Sequence, residues 1–113
     1  MMKAWDTKLM DEAQDLCEYL KNNYNCESEA VQAGELAATF STDKRGIRNR
    51  VNFLRSTGVP ICSSQSGYWY SEEPGDIQKT IDGMSAKITG IQKAITGLKV
   101  AKENMGNTGE IEI

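Results

Sequence analysis

The fold is decided by residues 34–58, which read GELAATFSTDKRGIRNRVNFLRSTG. Residues 35–40 are long enough for a helix of about two turns, and residues 41–42 make a tight connection after it. Asp43 is a residue type that caps helix N-termini, and a second helix is predicted from there to Thr57. The stretch therefore predicts a short helix, a tight turn and a longer helix.

The longer helix is amphipathic. Ile47, Val51 and Leu54 recur at spacings of four and three and form its buried side, which Phe53 widens. The opposite face presents basic and amide side chains, namely Lys44, Arg45, Arg48, Asn49 and Asn52. Gly58 is predicted to follow the last turn, where glycine commonly ends a helix.

A β-hairpin is predicted after the longer helix. Residues 59–64 have the composition of a strand, residues 65–67 have that of a turn, and residues 68–70 are aromatic and form the returning strand. Gly67 is free to take a positive φ in this turn. Aromatic side chains can stack on nucleic-acid bases, but they also favour half-buried strands, so packing of Trp69 into the core is the favoured interpretation.

The N-terminal segment predicts a further helix near residues 5–23. Its apolar residues recur at spacings of three and four and are Trp5, Leu9, Ala13, Leu16 and Leu20. Residues 29–33 are short and predict a small edge strand. The order of elements is then helix, short strand, short helix, tight turn, basic helix and hairpin.

The last predicted helix, which Asp76 can cap, carries an unbroken heptad pattern over 22 residues, about 33 Å of helix. Its seam consists of Ile77, Ile81, Met84, Ile88, Ile91, Ile95 and Leu98. The seam could pack on the first helix of the same chain or on a second copy. The strict 3.5-residue period indicates supercoiling and favours a homodimer. Gly83, Gly90 and Gly97 repeat at the same interval and either permit the close approach of another helix or weaken this one.

Composition excludes several classes of function. The chain has 113 residues, no histidine and three cysteines without metal-ligand spacing, so we expect no metal site, no cofactor and no enzymatic activity. No apolar run is long enough to span a membrane, and the expected compartment is the cytoplasm. The net charge is −3, yet residues 34–70 carry five Lys or Arg against two Asp or Glu. Such a local basic excess favours phosphate binding.

The sequence of the central stretch resembles bacterial and phage winged helix-turn-helix DNA-binding proteins. The resemblance lies in residues 34–58, in VPICSS at 59–64 and in GYW at 67–69, or roughly 40 of the 113 residues. It implies a mainly α fold with a small β-hairpin, to which the long C-terminal coiled-coil helix is added. It also implies binding of double-stranded DNA, in the cytoplasm of a bacterium or a phage-infected cell.

In such a fold the longer helix enters the major groove and its exposed side chains meet base edges. The residues predicted to contact DNA are Thr42, Lys44, Arg45, Arg48, Asn49, Asn52, Arg55, Ser64, Gln65 and Ser66. Arg50 and Arg55 lie off the exposed face, where they would meet phosphate or form salt bridges. The hairpin tip, residues 64–66, is uncharged and offers hydrogen bonds only.

The sequence thus predicts a small, dimeric protein that binds duplex DNA sequence-specifically, as a regulator of transcription or of replication. Residues 1–74 would form the winged helix, residues 75–103 the oligomerisation helix, and residues 104–113 a flexible tail. A second hypothesis is a protein-binding module that captures a host protein. The low isoelectric point, the uncharged tip and the acidic first helix favour it. A third hypothesis makes the coiled coil a structural adaptor with the winged helix as its tether.

Overall fold

The computed structural model describes the backbone of residues 4–111 and the side chains of residues 7–106. The chain is mainly helical, with one antiparallel hairpin and a long C-terminal helix, as the sequence predicts. The elements are α1 (Ala4–Asn23), a 3₁₀ turn (Glu27–Glu29), α2 (Ala33–Thr39), α3 (Lys44–Ser56), β1 (Ile61–Ser64), β2 (Gly67–Tyr70) and α4 (Pro74–Ile111). None of the described helices combines the length and the apolarity needed to cross a membrane.

The core lies between α1 and α3, which bury the faces that their periodicity predicts. Helix α1 contributes Ala13, Leu16 and Leu20, each without measurable exposure. Helix α3 contributes Ile47, Val51 and Leu54, and α2 adds Leu36 and Ala37. The side chain of Trp5, which was predicted to extend the α1 face, lies outside the described residues.

The turn between α2 and α3 is held by its own residues. Ser41 adopts a left-handed conformation with φ 53°, which reverses the chain within a few residues. Asp43 is confirmed as the N-cap of α3, because its carboxylate accepts a hydrogen bond of 2.7 Å from the backbone N–H of Gly46. Helix α2 begins at Ala33, two residues earlier than predicted.

The hairpin pairs Ile61 with Tyr70 and Ser64 with Gly67, and Gly67 has the predicted positive φ, 125°. The edge strand predicted at residues 29–33 is reduced to a single bridge, in which Val31 and Tyr68 exchange two backbone hydrogen bonds of 2.9 and 2.8 Å. A 3₁₀ turn before it and the early start of α2 leave no room for a longer strand. Trp69 is 3% exposed, which confirms that it packs in the core.

The chain divides into two compact units, and the first ends at Thr80. The first turns of α4 belong to this unit. Asp76 was predicted to cap α4, but the helix begins at Pro74, since proline fits the first helical turn. The Asp76 carboxylate instead accepts a hydrogen bond of 3.2 Å from the Trp69 indole. The hydroxyl of Thr80 accepts one of 3.2 Å from the backbone N–H of Ser63.

The second unit contains the rest of α4. Every described side chain from Ile81 to Gly106 is exposed. The sequence predicts that this helix ends at residue 103 and that a flexible tail covers 104–113. The helix continues to Ile111, and residues 112–113 lie outside the described residues. Glycine lowers helix propensity without removing the backbone N–H, so the glycines after residue 103 do not interrupt the hydrogen-bond ladder.

Candidate nucleic-acid interface

Helix α3 separates a core face from a basic face. Its exposed side chains include Lys44, Arg45, Arg48, Asn49 and Asn52. No acidic residue occurs anywhere between Lys44 and Ser56. The five predicted contact residues therefore lie together on the solvent side of one helix, and we call this set the α3 basic face.

Thr42 lies at the edge of this face. Its side chain is half-buried and packs against the first turn of α3, where a Cβ added at Gly46 would overlap the Thr42 hydroxyl. This contact explains why a glycine stands within the first turns of the helix. Thr42 thus shapes the start of α3 and offers less exposed surface than the five residues that follow.

The start of α2 connects the hairpin tip with the α3 basic face. The amide nitrogen of Gln32 donates to the backbone oxygens of Gln65 and Ser66, at 3.1 and 3.0 Å. Two residues later, a Cβ placed on Gly34 would lie 3.4 Å from Cε of Lys44. Residues 32–34 therefore contact both the tip and the first residue of α3. Sequence reasoning missed Gln32, because a single glutamine before a helix has no distinctive spacing.

The hairpin tip is exposed and uncharged, as predicted. Ser64, Gln65 and Ser66 all have exposed side chains. The Ser64 hydroxyl accepts a hydrogen bond of 3.0 Å from the backbone N–H of Ser66 and so stabilises the turn. The tip can reach a nucleic acid only through hydrogen bonds.

Arg55 does not lie on the α3 basic face. Its Nε donates to the backbone oxygen of Ile61 at 2.8 Å, and its Nη2 donates to the Ser63 hydroxyl at 2.9 Å. Burial lowers the pKa of this guanidinium below its ordinary value. Arg55 lies seven residues after Arg48 and so on the same side of the helix, but its side chain turns to β1. The structure thus separates it from the predicted contact residues and makes it a link between α3 and the hairpin.

Arg50 is also structural. It is 8% exposed, and its guanidinium lies 3.4 Å from the carboxylate of Glu12. The same group lies over the ring of Phe40, 6.0 Å from its centroid. Of the two sequence-based alternatives, phosphate contact and salt bridge, the structure shows the salt bridge.

The two arginine environments give a stability prediction. We expect Arg55→Gln to lower the free energy of unfolding by about 1–3 kcal/mol, because the backbone oxygen of Ile61 and the half-buried hydroxyl of Ser63 lose their charged donor. Arg48→Gln removes the same charge from an exposed position and should change stability by less than about 0.5 kcal/mol. Urea unfolding followed by circular dichroism measures both. Equal stabilities of the two variants would contradict the structural role of Arg55.

The chain matches no protein-family model, no curated protein and no solved structure. The geometry and charge of the described residues are therefore the basis for assigning a function. They offer one helix face with three cations and two amides, next to a polar hairpin tip.

Proposed function

We propose that residues 30–70 form a winged helix-turn-helix that binds duplex DNA sequence-specifically, with α3 in the major groove and the hairpin as the wing. The observation that carries the proposal is the α3 basic face, which is exposed and free of acidic residues. A basic, amphipathic helix that follows a tight turn is the element that such folds present to DNA.

The α3 basic face has the chemistry to read base edges. Arginine can bind guanine, and asparagine can bind adenine, through two hydrogen bonds each. The residues assigned to this role are Arg45, Arg48, Asn49 and Asn52. They span about 10 Å of helix, the length of about three base-pair steps. The arrangement is therefore suited to a short recognition sequence in the groove.

Lys44 and the wing are assigned to the sugar-phosphate backbone. Lys44 is exposed at the start of α3, and its stem lies beside Gly34. The wing residues Gln65 and Ser66 are tied to the same region through Gln32. A lysine binds phosphate through its charge, whereas these wing residues contribute hydrogen bonds that position the protein without reading sequence.

The net charge of −3 does not oppose this function, because phosphate binding depends on local patches. Three exposed acidic residues form a row on α1, namely Asp11, Asp15 and Glu18. Helix α1 turns its buried face to α3 through Ala13 and Leu16. The acidic row therefore lies on the other side of α1 from the shared core.

The test is selection of bound duplexes from a pool of random sequence with the full chain. The proposal predicts that the recovered duplexes converge on a common motif, since base contacts specify sequence. The Arg45→Ala, Arg48→Ala double variant serves as the control and should recover no motif. A wild-type selection that stays random over all rounds would overturn sequence-specific binding.

A protein partner is the second candidate. An open depression beside α3 brings apolar side chains next to the amides of the basic face, and it is lined by Leu9, Asn49, Asn52, Phe53 and Ser56. Met10 nearby in sequence is 39% exposed. Apolar surface of this kind suits a protein contact, and the uncharged wing supports it. Absence of duplex binding at low salt would favour this candidate over DNA.

A further inference from the structure

We infer that a second copy of the chain packs along α4, in parallel and in register, through the segment from Ile81 to Leu98. This segment is called the α4 seam. Its side chains are all large, apolar and exposed: Ile81 48%, Met84 40%, Ile88 56%, Ile91 60%, Ile95 46% and Leu98 70%. A continuous exposed row of this length marks an interaction surface.

The spacing of the α4 seam is typical of a helix that winds around a helical partner. The six residues follow one another at steps of three and four without a break, which is a period of 3.5 residues. A straight α-helix has 3.6 residues per turn, so a strict heptad row drifts around it by about 20° per repeat. The row stays on one side only when two helices wind around each other.

A second copy supplies that helix. The apolar face of α1 is used inside the first unit, where Ala13, Leu16 and Leu20 are fully buried. Helix α3 likewise buries Ile47, Val51 and Leu54. Among the described residues, α4 alone carries an exposed heptad row. A symmetric contact of this row with itself is the arrangement that a homodimer uses.

The residues beside the α4 seam are compatible with a parallel pair. In register, Lys87 faces Gln92 of the second copy, and Ala94 faces Lys99 of the second copy. Thr80, which this register would place beside Ser85 of the second copy, is buried in the first unit, so the flanking pairs begin at Lys87. No pair brings two like charges together, so nothing in the flanking sequence opposes association.

The seam composition favours two parallel strands. The first position of each heptad is called a and the fourth d. The a positions hold Ile81, Ile88 and Ile95, and β-branched residues at a favour parallel dimers. The d positions hold Met84, Ile91 and Leu98. The sequence pattern also places Ile77 at d, but Ile77 lies in the first unit and is half-buried. Only one of the three d residues of the α4 seam is therefore isoleucine.

The repeated glycines are not the contact surface. Gly83, Gly90 and Gly97 each precede a d position by one residue, on the side of the helix away from the seam. A Cβ added at any of them meets nothing within 4 Å. Because these positions face away from the seam, alanine there should be accepted by the dimer, whereas a contact through a glycine strip would be disrupted by it.

Sedimentation of the protein alone, over a range of concentrations, gives its mass in solution and tests whether the α4 seam holds two copies together. The wild type should reach twice the 12.5 kDa of one chain. Ile95→Lys should remain at the mass of one chain. Val100→Lys is the matched control, since Val100 is equally exposed at 49% but lies off the seam, and Gly90→Ala is a second. Both controls should keep the doubled mass. A wild type that stays at one chain mass, or a Val100→Lys variant that loses association as Ile95→Lys does, would overturn the inference.

A cross-link tests the orientation. In a parallel pair, position 88 of one copy meets position 88 of the other, within reach of a disulfide bond. Ile88→Cys, combined with Cys26→Ser to remove the exposed native thiol, should form a dimer that reducing agent separates. Cys26→Ser alone should not. A doubled mass in solution without this cross-link would overturn the parallel register. Neither measurement contains DNA, so a failure here is distinct from a failure of the proposed function.

Discussion

Replacing Gly67 with alanine is expected to lower the free energy of unfolding by about 3 kcal/mol or more, the sum of backbone strain and lost hydrogen bonds. Gly67 has φ 125°, a conformation that residues with a Cβ rarely adopt. An added Cβ would also overlap the backbone carbonyl of Val31. That carbonyl accepts the N–H of Tyr68 in the bridge that fixes the hairpin beside α2. Neither backbone can move without breaking this bridge.

Gly58→Ala is the matched control, because Gly58 has φ 90° but open space around the missing Cβ. Gly58→Ala should lower the free energy of unfolding by only about 1 kcal/mol, because it adds the strain of a positive φ without a steric overlap. Urea unfolding followed by tryptophan fluorescence and circular dichroism measures both variants. Equal losses for Gly67→Ala and Gly58→Ala would show that the contact with Val31 contributes nothing.

Replacing Arg45 and Arg48 together with alanine is expected to weaken binding to the selected duplex by about 100-fold or more. Each bidentate contact with a base contributes about 1–3 kcal/mol, and 1.4 kcal/mol corresponds to tenfold in affinity. Both side chains are exposed and lie off the core face of α3, so the fold should be unchanged. Titration of the labelled duplex by fluorescence anisotropy gives the affinity, and thermal unfolding checks the fold.

The control for this pair is Lys79→Ala with Lys93→Ala, which removes two exposed positive charges from α4. If the lost affinity reflected net charge alone, both double variants would weaken binding equally. The proposal predicts that the α4 variant stays within about threefold of the wild type, a difference of less than 1 kcal/mol. An α3 variant that binds as well as the wild type would remove α3 from the interface.

Local sequence signals predicted most of the fold. The spacings of Leu16, Leu20, Ile47 and Val51 gave the buried faces of α1 and α3, because helical periodicity is read directly from sequence. The cap at Asp43 and the turns at Gly58 and Gly67 depend on neighbours within a few residues. The bounds of α4 were predicted poorly. Pro74 begins the helix in place of the expected Asp76, and the helix passes the glycines near its end.

In the candidate site, too, features set by nearby residues were predicted and features set by tertiary packing were not. The exposure of Arg45 and Arg48 follows from their positions relative to the core face of α3, so the sequence was sufficient to predict it. Arg55 could not be placed, because its partners on β1 come from the tertiary packing of the hairpin on α3. Gln32 binds backbone oxygens more than 30 residues away, and no local pattern predicts such a contact.

The salt dependence of wild-type binding to the selected duplex tests the central claim most directly. Helix α3 and the wing are proposed to meet a duplex, where each neutralised phosphate adds about −0.9 to the slope of log affinity against log salt. Because Lys44 is the cation assigned to phosphate in each chain, we expect a slope of about −0.9 per bound chain, with the selected duplex bound more tightly than a scrambled duplex at every salt concentration. Absence of binding at the lowest salt, or equal affinity for both duplexes, would contradict sequence-specific DNA recognition by α3.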